Sequence, residues 1–194
     1  DGFAQFKDID VVHNGIEVEA AWRRPGKLQI SGMLSLGDWK YTKDFEATLF
    51  DENQQAVGTG ILYTDGAKVG DAAQITALVS LEKRFGRLNL DLDYRFVDGL
   101  YADYSITDSA FTEADNQGAL KLPSYSLVDF GGTYYFGTGW SLRVNINNLF
   151  NTTYIAESNS NIHVSDSTQD TWNGIDTENS VWFGFGTTWN MSLK

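Results

Sequence analysis

The chain has 194 residues, a formal net charge of −12 at pH 7 and a sequence pI near 4.4. Such an acidic chain argues against nucleic acid as a partner, because phosphates require a basic surface. It contains no cysteine, which excludes a disulfide framework and a thiolate metal site.

Seven segments of the chain alternate apolar and polar residues, and this period of two predicts β-strands. In chain order they begin near Ile9, Leu28, Ile75, Leu88, Leu122, Trp140 and Val181. Because side chains alternate sides along a strand, each segment has one apolar and one polar face. Met33 and Leu78 are exceptions that fall on the polar faces. No segment has helical spacing, and no apolar run reaches about 18 residues, so a transmembrane helix is not expected.

The connections between these segments are alternately short and long. Short turns at residues 24–26, near Gly86 and at residues 137–139 separate long polar stretches at residues 38–70, 98–122 and 156–178. This alternation is typical of an outer-membrane barrel, whose short turns face the periplasm and whose strands span in about 9–11 residues. The nearly uncharged apolar faces and the aromatic residues near strand ends also favour that architecture. A soluble antiparallel sandwich has the same alternation and stays open as an alternative.

Several stretches of the chain resemble a known family. Leu122 to Phe130 reads LPSYSLVDF and Asn145 to Tyr154 reads NINNLFNTTY; together they resemble the penultimate hairpin of TonB-dependent outer-membrane receptors. Gly15 to Glu19 resembles a strand common in these receptors, and Val181 to Leu193 resembles their closing strand. The resemblance implies an all-β fold, an antiparallel transmembrane β-barrel. Residues 1–194 are then one partial domain that supplies about seven C-terminal strands of a larger, 22-stranded barrel.

The resemblance also implies segments beyond this chain. Receptors of this kind usually finish on an aromatic residue, whereas the chain stops at Lys194, so we expect a few further residues. The N-terminal strands, the plug that fills such barrels and the TonB-binding motif are not among these 194 residues, so we expect them upstream.

The function that the resemblance implies is active import across the bacterial outer membrane. The ligand is expected to be a ferric siderophore, or else cobalamin, haem or an oligosaccharide. The implied partners are outer-membrane lipid, TonB through the missing N-terminal region, and a small-molecule or metal-chelate ligand. Two other functions stay open: a small outer-membrane binding or adhesion barrel, and a soluble carbohydrate-binding β-sandwich. The odd strand count argues against the small barrel, because single-chain bacterial barrels close with an even number of strands.

No residue pattern indicates catalysis, a bound cofactor or a metal centre. His13 and His163 are the only histidines, and the chain lacks a nucleophile elbow, a zinc-binding HExxH motif and a phosphate-binding glycine loop. The many loop carboxylates are explained by a solvated extracellular rim, and a site for a cation or ferric complex is the weaker interpretation. The chain is therefore not expected to be an enzyme.

Two groups of residues are candidates for functional contacts. The first group lies on polar strand faces and is expected to face the barrel lumen or the plug: Asp91, Asp93, Arg95, Arg143, Asn145 and Asn147. Arg95 is expected to compensate the neighbouring carboxylates, and a merely hydrated interior accounts equally well for all six. The second group lies in the last long loop as ligand candidates: His163, Trp172 and Asn173. For these, packing of the loop on itself is the stronger alternative.

Overall fold

A computed structural model describes residues 2–103, 108–112, 117–137 and 139–194. The first strands are β1 (Phe3–Phe6), β2 (Val11–Arg24), β3 (Leu28–Tyr41), β4 (Phe45–Phe50), β5 (Ala56–Leu62), β6 (Ile75–Phe85) and β7 (Leu88–Asp98). A single helical turn, α1 (Ser109–Thr112), follows. The remaining strands are β8 (Tyr125–Tyr135), β9 (Ser141–Asn147), β10 (Ile155–Ser158), β11 (Thr171–Trp172), β12 (Ile175–Asp176), β13 (Val181–Phe183) and β14 (Thr188–Leu193). Among the described residues, no helix has the length and hydropathy needed to span a membrane.

Seven of these strands form one antiparallel sheet in the order β2-β3-β6-β7-β8-β9-β14. Each strand pairs with its neighbour in this order. Strands β4 and β5 lie in the first long connection and β10 to β13 in the last, whereas β1 precedes β2 and pairs with β4. The prediction of an all-β, antiparallel fold with seven sheet strands is confirmed. Within the described residues, β2 and β14 are the two edges and the sheet is open.

The last predicted strand, residues 181–193, is interrupted in the structure. Val181 to Phe183 pair with β10 in the loop region, and only Thr188 to Leu193 pair with β9. Between them the ring of Tyr154 occupies the position that a Cβ at Gly184 would need, and the Gly184 N–H donates to the Tyr154 carbonyl at 2.9 Å. The expectation of one continuous strand over residues 181–193 was therefore wrong. The chain leaves the pairing with β10 near Tyr154 and joins β9 only from Thr188.

One face of the large sheet is apolar and uncovered. A row that crosses all seven strands contains Trp22, Ile30, Leu81, Leu92, Phe130, Ile146 and Trp189. Leu81 is 39% exposed and Trp189 is 72% exposed. In a soluble sandwich this face is buried against a second sheet, so the exposed apolar row contradicts that alternative. A patch of this size needs a lipid or protein cover.

The opposite face of the sheet is polar. A row across six strands contains Gln29, Glu82, Asp91, Gly131, Asn145 and Asn190. Met33 and Leu78, the two apolar residues predicted on this face, are direct cross-strand partners, so the exceptions form one small apolar island. The sheet therefore separates an apolar surface from a hydrogen-bonding surface across its whole width.

The buried core lies in the long connections rather than under the sheet. Its larger cluster consists of Leu100, Ala102, Leu120, Leu122, Ile155 and Ile175, with Trp172 and Val181 packed against it. Asn161, only 5% exposed, joins two connections by accepting from the Leu120 N–H at 2.7 Å and donating to the Asp103 carbonyl at 2.8 Å. A second cluster pairs Leu62 with Phe111. The connections thus form a packed cap at one end of the sheet.

Candidate functional site

An ion pair on the polar face joins two strands that are not neighbours. Arg143 on β9 donates through Nη1 and Nη2 to the two carboxylate oxygens of Asp91 on β7, at 3.0 Å each. This two-point geometry is the strong form of a guanidinium–carboxylate contact. Strand β8 lies between the two, and the pair passes over Gly131. A Cβ at that position would overlap the Asp91 carboxylate, so the absence of a side chain permits the contact.

The ion pair belongs to a larger hydrogen-bond network. Arg143 also donates through Nε to Asn145 at 2.7 Å and through Nη1 to the Thr133 hydroxyl at 3.2 Å. Asn145 in turn donates to the Asn190 side chain on β14 at 2.8 Å. The network therefore ties four adjacent strands together by side chains, and three of the six candidates on the polar face belong to it.

The other three candidates lie outside that network on the same face. Asn147 donates to the Thr188 hydroxyl at 3.2 Å. Arg95 pairs with Asp129 at 3.2 Å, so the compensating charge for Asp91 comes from Arg143 and not from Arg95 as expected. Asp93 faces Ser80 and Asp129 across its two neighbouring strands, and among the described residues it has no ion pair.

A shallow groove of about 390 Å³ runs along this polar face. Its polar lining residues include Gln29, Glu82, Asn89, Asp91, Asp93 and Arg143. The groove presents carboxylates, amides and one guanidinium without a nucleophile–base pair. These groups can donate and accept hydrogen bonds, and the described residues include no group of three or more His, Asp or Glu side chains placed to hold a metal ion.

The three loop candidates have local structural roles. The His163 Nε2 lies 3.0 Å from the Gly118 carbonyl and links two connections. Trp172 packs on the loop core and contacts the Phe183 ring edge-to-face at 5.2 Å between centroids. Asn173 has φ +48° and forms, with Gly174, the two-residue turn between β11 and β12. Of the three, only Asn173 is exposed, at the tip of this hairpin, whereas His163 and Trp172 are partly buried.

A buried asparagine that was not a candidate organises the corner after β9. Asn148 is 4% exposed, with φ +50°, a conformation that Asn tolerates better than most residues. Its side-chain amide donates to the carbonyls of Thr152 and Phe185 at 2.9 and 3.0 Å, and its Oδ1 accepts from the Thr152 N–H at 2.8 Å. Its backbone N–H donates to Asp129 at 2.8 Å, which links the corner to the polar face. One asparagine of the NINNLFNTTY stretch thus holds the corner together.

Carboxylates on the cap lie close enough to affect one another. Burial raises the pKa of Asp71, and the neighbouring Asp103 and Glu157 raise it further. Because a raised pKa means that ionised Asp71 is unfavourable in the fold, its contribution to stability decreases as the pH rises through that pKa.

Replacement of Gly131 tests the contact between β7 and β9. We expect Gly131→Ala to displace the Asp91 carboxylate and to lower the free energy of unfolding by about 1–3 kcal/mol, because the added methyl overpacks the site. The measurement is a denaturant titration of the full-length protein, repeated in an Asp91→Ala background. In that background, Gly131→Ala should lower the free energy of unfolding much less. An equal decrease in both backgrounds would contradict a clash with the carboxylate.

The fold and its polar face together define a class of protein. An antiparallel sheet with one exposed apolar face, one polar face and alternately short and long connections is a segment of an outer-membrane-type β-barrel wall. The family model described as "TonB dependent receptor-like, beta-barrel" matches residues 6–149. The chain therefore belongs to the TonB-dependent receptor β-barrel family, a family of receptors and transporters rather than enzymes.

Comparison with solved structures shows a shared fold in one case and a weaker similarity in another. The siderophore receptor PiuA from Acinetobacter baumannii is 15% identical, with a TM-score of 0.60, over 94% of this chain and 21% of that chain. The ferric-catecholate import receptor Fiu from K12 E. coli is 13% identical, with a TM-score of 0.45, over 94% of this chain and 27% of that chain. No curated protein matches the chain in sequence. The chain thus spans about a fifth to a quarter of the length of these receptors.

Proposed function

We propose that this chain is part of the wall of an outer-membrane receptor that imports a scarce nutrient with energy supplied through TonB. The family match over residues 6–149 carries this proposal. A ferric siderophore is the first candidate ligand, and its support is that PiuA, which shares the fold, is a siderophore receptor. Cobalamin, haem and an oligosaccharide are the other ligand classes to be tested.

In this function the two faces of the sheet have different surroundings. The row from Trp22 to Trp189 contacts lipid, where exposed apolar side chains are stable and each inner strand has a hydrogen-bonded neighbour on both sides. The edges β2 and β14 then pair with further strands of a larger barrel, because an open edge in lipid leaves backbone groups unsatisfied. The polar groove faces the interior.

The polar face is proposed to line the interior against a plug and the transported solute. Asp91, Arg143 and Asn145 hold one another and form a fixed surface, whereas Asp93, with no ion pair among the described residues, can accept a hydrogen bond from a moving partner. On the outside, the tip at Asn173 is available to a ligand, while Trp172 and His163 hold the cap in shape. Arg95 and Asn147 complete the lining at the cap end of the sheet.

Growth under iron limitation tests the proposed import. A strain that lacks the complete gene is supplied with single ferric siderophores, haem, cobalamin or oligosaccharides as the limiting nutrient, with and without the gene on a plasmid. We expect one ferric siderophore to support growth only when both this gene and TonB are present. Uptake of the radiolabelled iron complex provides the direct measurement. Growth that is independent of the gene on every nutrient would refute import, and growth that depends on the gene but not on TonB would refute the energy coupling.

A further inference from the structure

The charges of this acidic chain are distributed unevenly along the strands. Six of its 14 Lys and Arg residues occupy the first two of the three short turns and the strand ends beside them, where Glu82 is the single acid. These cations are Arg23, Arg24, Lys27, Lys83, Arg84 and Arg87. The turn end of the sheet is therefore basic although the net charge of the chain is −12.

The strand register divides four of these cations between the two faces. Arg24 pairs with Leu28, which pairs with Lys83, and this row continues to Leu90 on the apolar face. Arg23 and Arg84 lie on the polar face, where Arg23 donates to Gln29 at 3.0 Å and Arg84 donates to the Gly86 carbonyl at 3.0 Å. One pair of cations thus faces the apolar surroundings, and the neighbouring pair is already engaged on the polar face.

The two cations on the apolar face lack anionic partners. Within the described residues, neither Arg24 nor Lys83 has a carboxylate oxygen within 4.0 Å. They lie two strands apart in one row, about 10 Å from each other at the usual strand spacing. Both side chains are exposed. Two cations without a carboxylate partner among the described residues, on long side chains from nearby strands, can both reach one phosphate group.

Aromatic side chains on the same face indicate how deep Arg24 and Lys83 lie relative to a bilayer. Trp22 precedes Arg24 by two residues on β2 and is 54% exposed, and Phe85 follows Lys83 by two residues on β6 and is 51% exposed. The Lys83 ammonium lies 4.7 Å from the centroid of the Phe85 ring. Exposed aromatics beside cations, next to an apolar band, are typical of the boundary between acyl chains and headgroups.

We propose that Arg24 and Lys83 form a binding site for the phosphodiester headgroup of an anionic phospholipid in the leaflet at the short-turn end of the barrel. This inference rests on the proposed function, because only a barrel in a membrane places lipid against the apolar face. A soluble anion is a poorer match, since the cations share their face with exposed aromatic and aliphatic side chains. The lipid provides phosphate for the cations and acyl chains for the apolar row in one molecule.

Native mass spectrometry of the full-length receptor tests this site. The receptor is purified in a neutral detergent and mixed with equal amounts of phosphatidylglycerol and phosphatidylcholine that carry the same acyl chains. We expect the wild type to retain more phosphatidylglycerol and the double variant Arg24→Gln/Lys83→Gln to lose this preference by at least about threefold. The variant Arg23→Gln/Arg84→Gln removes the same charge from the polar face and should keep the preference. Arg24→Lys/Lys83→Arg should also keep it.

The possible outcomes distinguish a lipid site from a general charge effect and from a site for a soluble anion. Equal retention of both lipids by the wild type, or an equal loss in both glutamine variants, would overturn the site, since the second result reports net charge alone. Displacement of phosphatidylglycerol by inorganic phosphate would also overturn it in favour of a soluble anion.

Each variant is first checked for the heat-dependent shift of a folded barrel in gel electrophoresis. A wild-type receptor that is absent from outer-membrane fractions would refute the proposed function, whereas a correctly located receptor without lipid preference refutes the site alone.

Discussion

Val79→Arg is expected to lower the free energy of unfolding of the full-length receptor in phospholipid vesicles by about 2–4 kcal/mol. Val79 lies near the middle of β6, on the apolar face, with Gly32 and Tyr94 as its cross-strand partners, and it is further than Leu81 from Lys83 at the turn end. In the proposed orientation this position is surrounded by acyl chains, where a guanidinium loses its hydration without gaining a partner. The measurement is a urea titration followed by tryptophan fluorescence, with the slope checked for constancy.

The adjacent residue provides the control for this substitution. Ser80 lies on the polar face, opposite Ser31 and Asp93. An arginine there stays hydrated and has the Asp93 carboxylate opposite it, so Ser80→Arg should cost less than about 1 kcal/mol. Similar costs at positions 79 and 80 would contradict the assignment of the two faces to lipid and water.

Asn148→Ala is expected to have an effect of similar size, about 3–5 kcal/mol, for a different reason. The substitution leaves the carbonyls of Thr152 and Phe185 and the N–H of Thr152 without their side-chain partner in a buried corner. Each unsatisfied buried group costs about 1–3 kcal/mol, and alanine is strained at φ +50°. The same urea titration measures the loss. Hydrogen exchange should show that the protection lost is greatest around residues 148–152 and 185–187.

Two further variants separate the causes of this effect. In Asn148→Gly the glycine adopts the positive φ without strain but lacks the side-chain amide. Its decrease in the free energy of unfolding therefore measures the lost hydrogen bonds alone. Asn147→Ala removes one exposed bond of 3.2 Å to Thr188 and should cost less than about 1 kcal/mol. If Asn147→Ala and Asn148→Ala were equally destabilising, the special role of the buried asparagine would be rejected.

The two substitutions with large expected effects test two structural requirements of the same sheet. The apolar face must stay free of charge along the middle of each strand, while the connection after β9 must return the chain to the sheet as β14. Asp129 links these requirements, because it pairs with Arg95 on the polar face and accepts from the Asn148 N–H at the corner. A receptor that moves solute along this face needs such a rigid lining, since a flexible wall offers no defined path.

Several features of the candidate site followed from local pattern. Strand existence, the faces of Asp91, Arg143 and Asn145, and the alternation of turns and long connections depend on residues close together in the chain, so a period of two was enough to predict them. Gly131 was also detectable in principle, because a glycine inside a strand often marks a close approach by a neighbouring group.

Long-range partners could not be predicted in the same way. Arg143 and Asp91 are 52 residues apart, and whether Arg143 or Arg95 neutralises Asp91 depends on the register of three strands. The break between β13 and β14 lies where the ring of Tyr154, 30 residues earlier in the chain, packs against Gly184. The sequence alone thus determined an antiparallel sheet with one apolar and one polar face, because side-chain alternation is a local property of a strand. The tertiary structure alone decided the ion pairs, the buried corner and the packed cap, because those contacts exist only where distant strands and loops meet.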